Sequence, residues 1–240
     1  PVKSIEAPGT RDENGPQGLT ASLLGSGATQ MKATAFTSED VMAATFNVEL
    51  MAEVGKVIGN NCLEAGIACL YGPGNNIHRT PYGGRNFEYY SEDGFLSGAI
   101  CAPEVAAIQA KGVHVVMKHF ALNDCEQDRI GLGVWLSEQA AREVYLKAFQ
   151  APIEEGDANG VMMAYTRWGA HWSGGSHPRN LDRQPHSKGA LYACLINSGL
   201  VMAWTSHGGR YAPVVRSITS TGAPSRLYAK SRISKSGLEM

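Results

Sequence analysis

Residues 75–93 crowd two arginines, Arg79 and Arg85, His78, the pair Gly83-Gly84, tyrosines and the carboxylates Glu88, Glu92 and Asp93 into one run without helical or strand periodicity. A solvated loop has no need of so many aromatics, and a core segment cannot bury so many unpaired charges. The mixture suits a loop folded on itself. Arginine–carboxylate forks would hold its shape and leave a few donors facing a ligand. A second candidate is Lys118-His119, a cation beside an imidazole and so a paired donor set for hydroxyl groups. From spacing alone, a surface lysine beside a packed histidine is the more economical reading of that pair. Tyr165 is either a ligand contact or a core aromatic with a polar handle.

These residues need elements to carry them. Ser38 is placed to cap a helix whose first turn holds Glu39 and Asp40, which suits the positive end of the helix dipole. Phe46, Leu50, Val54, Val57 and Ile58 then recur as one apolar helical face. Residues 67–71 form a continuous apolar run ending at Gly72-Pro73-Gly74, a buried strand followed by a turn. A second helix runs through Leu96, Ile100, Val105 and Ile108 to a stop at Gly112, and residues 113–117 form the next strand. Ser137 caps a third helix through Ala141, Val144 and Ala148 to Gly156, and residues 160–164 form another strand. Helices alternating with buried strands predict a parallel α/β sheet. Polar, potentially reactive residues come after each strand end, at 75–93, at Lys118-His119 and at Tyr165. That layout is shared by TIM barrels and doubly wound sheets.

Five stretches, in order, resemble glycoside hydrolase family 3, the β-glucosidase and β-xylosidase family. Residues 75–93 are similar to its signature loop. Asn14-Gly15-Pro16-Gln17-Gly18 is similar to its Asp-Gly-Pro-x-Gly, and Phe36-Thr37-Ser38 to its Phe-Pro-Ser. Lys118-His119-Phe120-Ala121-Leu122-Asn123-Asp124 resembles Lys-His-Phe-x-x-Asn-Asp, and Val161-Met162-Met163-Ala164-Tyr165 resembles Val-Met-x-x-Tyr-Asn. One match would be weak; five in register from residue 14 to about 176 are specific. The resemblance tips the fold toward a TIM-type (β/α) barrel. Eight units at the observed strand spacing would need about 370 residues, against ~250 for a compact barrel, so a barrel here is incomplete or irregular.

The resemblance implies retaining hydrolysis of terminal β-linked glucose or a related sugar, without a cofactor. It implies that Lys118 and His119 bind the glycone, that Arg85 holds a sugar hydroxyl and that Tyr165 lies near the anomeric centre. Arg79 is expected in a structural fork with Glu88 or Asp93. Asn14 departs from the family, which has an aspartate accepting from two sugar hydroxyls. Losing that charge weakens binding by roughly 1.5–3 kcal/mol. The larger departure concerns the chemistry. The family nucleophile is an aspartate in Gly-x-Val-x-Thr-Asp; the nearest match is Gly199-Leu200-Val201-Met202-Ala203-Trp204, with Trp204 in the expected nucleophile position. In most members a second domain lends the acid/base, and none resembles it here. A retaining mechanism needs both carboxylates. Asp124, Glu126, Asp128 and Asp182 remain as substitutes, each more simply an ordinary structural or solvated acid.

Composition narrows the rest. The chain has 240 residues, 43% hydrophobic and 18% charged, an ordinary globular balance. No apolar run approaches the ~20 residues of a bilayer span, and no signal peptide is visible at Pro1, so a cytoplasmic, membrane-free protein is expected. Because Pro1 is not a methionine, the N-terminus is expected to be processed or incomplete. Cys62, Cys69, Cys101, Cys125 and Cys194 are odd in number and lack zinc-site spacing, so they read as free thiols of a reducing compartment. Nucleotide-binding glycine motifs are absent, and His186 and His207 lack metal-ligand spacing. From residue 179 onward nine Lys/Arg stand against two acids, a balance of +7. We therefore divide the chain into a barrel portion, 1–178, and a divergent basic tail, 179–240. The tail has few aromatics and no nucleic-acid module, so a solvated or partner-dependent segment is expected, completing the sheet or mediating oligomerisation. Three functions fit these features: a weak or impaired β-glucosidase-like hydrolase, a sugar-binding remnant without catalysis, and an assembly protein pairing its sheet edges as a homo-oligomer.

Overall fold

The computed structural model describes residues 11–20, 33–173, 202–207 and 210–215. Its elements run β1 (Asp12–Asn14), α1 (Glu39–Ala43), α2 (Val48–Ala65), β2 (Cys69–Gly74), a 3-10 turn (Asn86–Glu88), α3 (Gly94–Gln109), β3 (His114–Phe120) and β4 (Gly133–Val134). Then come α4 (Glu138–Ala140), a π turn (Ala141–Tyr145), α5 (Lys147–Glu154), β5 (Gly160–Met163), β6 (Arg167–Trp168), β7 (His171–Trp172), β8 (Met202–His207) and β9 (Arg210–Val215). Six strands form one sheet in the order β1-β2-β3-β5-β8-β9. Neighbours from β1 to β8 are parallel, and β9 is antiparallel on β8. The chain is thus an α/β protein with the parallel sheet of an incomplete TIM-type barrel. A small second sheet, β4-β6-β7, lies beyond the main strands.

Burial on both faces explains the apolar strand runs. Leu70, Val115, Met117 and Val161 join the main core, while Cys69, Tyr71 and Val116 cluster separately, as period-two alternation demands. Helix α3 packs against both α2 and α5. The Cβ that Gly55 lacks would lie 2.5 Å from the Glu104 carbonyl oxygen, so glycine is what lets α2 approach α3. Gly66, at φ +69°, ends α2 in a left-handed cap, with the N–H of Ile67 returning to Cys62 O at 2.8 Å.

Several expectations need correction. The helix begun at Ser38 is two helices. Ser38 holds the N-cap position of α1 without a side-chain hydrogen bond, and Glu39 is buried, not solvated. Phe46 turns to φ +53° and stands 73% exposed, and Asn47 restarts the chain by accepting from the Leu50 N–H at 2.9 Å. The buried stripe of α2 is Met51, Val54, Ile58 and Cys62, with Leu50 on the outside. Strand β3 runs on to Phe120, which places Lys118 and His119 within the strand. The peptide bonds Gly72–Pro73, Lys118–His119 and Phe120–Ala121 are cis. The third helix does begin at Ser137, whose Oγ accepts from the Ala140 N–H at 3.1 Å, but the π turn interrupts it. The strand expected up to Trp204 is seen from Met202; residues 195–201 and the 178/179 boundary lie outside the described residues. Cys62, Cys69 and Cys101 are free and buried, Cys125 free and exposed, and Cys194 lies outside the described residues. Among the described residues no helix is long and apolar enough to cross a membrane.

Candidate functional site

Strands β2, β3 and β5 end side by side, and backbone and side-chain amides join the segment after β2 to the end of β3. The Asn75 N–H donates to Lys118 O at 2.6 Å. Asn76 brackets the next residue, Nδ2 donating to His119 O at 2.9 Å and Oδ1 accepting from the His119 N–H at 2.7 Å. The 75–93 loop is folded on itself. Asn86 Nδ2 donates to Thr80 O at 2.7 Å, and His78 Nε2 lies 3.0 and 2.9 Å from the carbonyls of Asn86 and Tyr89. Gln17, after β1, holds Phe87 O at 2.8 Å. Asp93 closes the loop by capping α3, accepting from the N–H groups of Phe95 and Leu96 at 2.7 and 3.0 Å.

Inside this frame one carboxylate serves two cations. Glu88 pairs with Arg85 Nε and with Lys118 Nζ at 3.1 Å, and Lys118 Nζ also donates to Asn14 Oδ1 at 3.2 Å. Lys118 is 2% and Glu88 4% exposed. Burial lowers the Lys118 pKa, and Glu88 pulls it back up. The fork expected for Arg79 is therefore made by Arg85, and Arg79 instead lies over the Tyr145 ring at 5.9 Å. The reason is local: Arg85 and Glu88 are three residues apart on a 3-10 turn, where such side chains eclipse.

A second chain of contacts adjoins the first. His119 Nδ1 lies 3.0 Å from the Tyr89 hydroxyl, which accepts from Asn123 Nδ2 at 2.8 Å. Asn123 also donates to Glu126 Oε1 at 2.7 Å, and Glu126 Oε2 pairs with Arg129 at 2.6 Å. The Arg129 guanidinium sits 5.0 Å from the centre of the Tyr165 ring. Burial, with Arg85, Lys118 and Arg129 adding, depresses the His119 pKa well below its usual value, so the imidazole is neutral. Burial raises the Tyr89 phenol, which stays protonated. Asn14, Arg85, Lys118 and His119 thus come together, with Tyr165 tied in through Arg129. Arg129 is the member that sequence reasoning missed; its only signal was its place three residues after Glu126.

The acids sort themselves. Glu126 is committed to Asn123 and Arg129. Asp128 is a turn residue at φ +54°, and Asp182 lies outside the described residues. Burial pushes Asp124 up to about 6, against the pull of Arg79 and Tyr145. Residues 83–86, Tyr89 and residues 123–126 line one shallow surface depression, which Arg85 and Asp124 share. Trp204, on β8, stands opposite Met162 of β5. It therefore occupies the strand next to the one that leads to Tyr165. Among the described residues no cluster of three or more metal-ligating side chains is present.

The sequence profile described as "Glycosyl hydrolase family 3 N terminal domain" matches residues 19–184. A β-glucosidase of Ruminococcus albus is 40% identical over 149 residues, 62% of this chain and 16% of the relative. An exo-alpha-(1->6)-L-arabinopyranosidase of Bifidobacterium breve is 37% identical over 171 residues, 69% of this chain and 23% of the relative. The structure of β-glucosidase 3B from Thermotoga neapolitana, in complex with α-D-glucose, superposes with a TM-score of 0.68 at 37% identity, covering 72% of this chain and 24% of that one. The chain spans about a fifth of the length of these relatives.

Proposed function

Because the chain belongs to glycosyl hydrolase family 3, through that family's N-terminal domain, we propose that its polar cluster binds the terminal β-linked glucose, or a related sugar, of a glycoside. The observation that carries this reading is the joined set Asn14–Lys118–Glu88–Arg85 beside neutral His119. It is a fixed array of donors and acceptors at the C-terminal strand ends, where (β/α) barrels hold their ligands. Hydrolysis by this chain is weak or impaired, because Trp204 stands where the family aspartate is expected. Asp124 is the carboxyl group best suited to residual acid–base work, since burial raises its pKa toward neutrality beside the shallow depression it shares with Arg85. The alternative is a sugar-binding chain without catalysis. The names of the relatives motivate glucose and L-arabinose as the sugars to compare. We further propose that the chain self-associates through an uncovered edge of its sheet.

Calorimetry with glucose and a β-glucoside tests the site. Lys118→Ala and His119→Ala should each weaken binding about tenfold or more, the loss of one buried hydrogen bond, while the far-ultraviolet circular dichroism stays unchanged. Unchanged affinity in both variants overturns the site. Turnover on an aryl β-glucoside should fall far below the ~10 s⁻¹ median for enzymes. A rate near that median would show that another carboxylate acts, and its loss in Asp124→Asn would identify it.

A further inference from the structure

A buried carboxyl pair lies one residue behind this site, at both ends of the loop that builds it. Glu39 of α1 is 0% exposed and accepts the Gly74 N–H on Oε1 at 3.2 Å. Glu104 of α3 is 1% exposed and accepts the Tyr90 hydroxyl on Oε2 at 2.7 Å. Gly74 directly precedes Asn75, whose N–H holds the Lys118 carbonyl, and Tyr90 directly follows Tyr89, whose hydroxyl meets His119. The segment carrying Arg85 and Glu88 is therefore pinned at each end by a carboxyl group.

Burial favours the neutral form of the pair and outweighs the Gly74 N–H, the Tyr90 hydroxyl and Lys118, which favour the charged one. Among the described residues neither glutamate has a salt bridge. The groups facing Glu39 are Glu104, Glu88, Lys118 and the Gly74 N–H, and Lys118 is held by Glu88. The groups facing Glu104 are Glu39 and Tyr90, with Cys101 one turn away along α3 and sensing both acids. Glu39 Oε2 is buried without a hydrogen-bond partner. An interior of this kind charges heavily for two unpaired carboxylates. We propose that Glu39 and Glu104 are positioning residues that hold the 75–89 loop in place while uncharged, so that the site is assembled at acid and neutral pH and loosens in alkali. The consequence for sugar affinity rests on the function proposed above; the anchoring of the loop does not.

The direction of the effect comes from linkage. Burial pushes Glu104 up to about 8 and, with Glu104 as neighbour, raises Glu39 well above the usual range. A folded-state pKa above the unfolded value means that the native chain holds protons the unfolded chain has released. Its contribution to stability is fully present below the unfolded pKa of about 4.3 and is lost as pH rises from there through the folded pKa. For Glu104 the loss is complete above about 8.

Hydrogen-exchange protection on the 240-residue chain, compared between about pH 6 and about pH 9, tests this without any ligand. Protection of the 74–90 amides should fall about tenfold relative to those of α2 as pH rises. Glu39→Gln and Glu104→Gln, which keep the acceptors and cannot ionise, should each reduce that loss, and the fall in thermal midpoint over the same range should shrink with it. Loop and α2 amides changing together in the parent chain would overturn the proposal, as would a pH dependence undiminished in both variants. The pH scan of the parent needs no variant to fold. Glucose calorimetry on the same samples separates the two readings. Loop loosening in a chain that never binds sugar sustains the anchoring and removes only the sugar function. Sugar affinity that survives alkali while the loop loosens removes the anchoring as a positioning device.

Discussion

Glu88 holds Arg85 and Lys118 together, and the two sides of that arrangement are not equivalent. Removing Glu88 leaves Lys118, almost wholly inaccessible, as an uncompensated buried cation. Breaking a buried pair in this way costs about 3–5 kcal/mol. Removing the lysine instead leaves Glu88 with Arg85, which is partly exposed and still paired. Glu88→Ala should therefore lower the thermal midpoint steeply, whereas Lys118→Met should change it little; equal losses in the two variants would show that the ion pair is not what stabilises the site. Much of this centre was legible in the sequence. Asn14, Arg85, Lys118 and His119 stood out by type and by motif, and they do converge. The pairing was not legible, because a fork needs a direction as well as a charge, and only the 3-10 turn supplies it for Arg85. Nor was the importance of Glu39. A first-turn acid is normally solvated at the helix dipole, and the packing of α1 against the 3-10 turn and α3, beside Gly74 at the end of β2, buries it.

Element types were easier to read than element phase. Strands β2, β3 and β5 announced themselves as continuous apolar runs bounded by glycine and proline, and α3 as an apolar stretch ending at Gly112. The face of α2 was misjudged because two stripes share Val54 and Ile58. Periodicity alone could not choose between the stripe through Phe46 and Leu50 and the one through Met51 and Cys62. The break at Phe46, a left-handed residue followed by the Asn47 cap, decides it by resetting the helix. β1 was missed because three polar residues give no strand pattern; its partner β2 defines it. The α2–α3 contact offers a test of the packing. An alanine methyl at Gly55 would meet the Glu104 carbonyl at 2.5 Å, backbone that cannot rotate away. Gly55→Ala should destabilise by about 1–3 kcal/mol despite alanine's better helix propensity. Chemical denaturation would show it, and a stabilised variant would mean that the helices separate freely.

At the scale of the molecule, the question is how the sheet ends. Among the described residues β1 and β9 each have one hydrogen-bonded neighbour, so the five parallel strands and β9 do not close into a ring. Open sheet edges and apolar faces are normally covered by pairing, and a twofold dimer is the commonest arrangement. The two edges differ in suitability. β1 is three residues long and carries Asp12 and Glu13, a short acidic edge of the kind that resists pairing with its own copy. β9 is six residues long, and its sequence, Arg-Tyr-Ala-Pro-Val-Val, carries no acid. Phe46, Phe95, Ile130 and Trp135 add large apolar surface, each more than 70% exposed. The tail from residue 179 is expected to complete the sheet or mediate oligomerisation; apart from β8 and β9 it lies outside the described residues. Light scattering across a concentration series should give a mass that climbs from one chain toward two, and a charged substitution on β9, Val214→Lys, should hold it nearer one. A well-folded monomer persisting at high micromolar concentration would refute self-association. Dimerisation that survives Val214→Lys would move the contact from the sheet edge to the exposed aromatic residues, because a charge placed in a strand edge opposes its pairing with an identical copy while leaving a distant apolar face untouched.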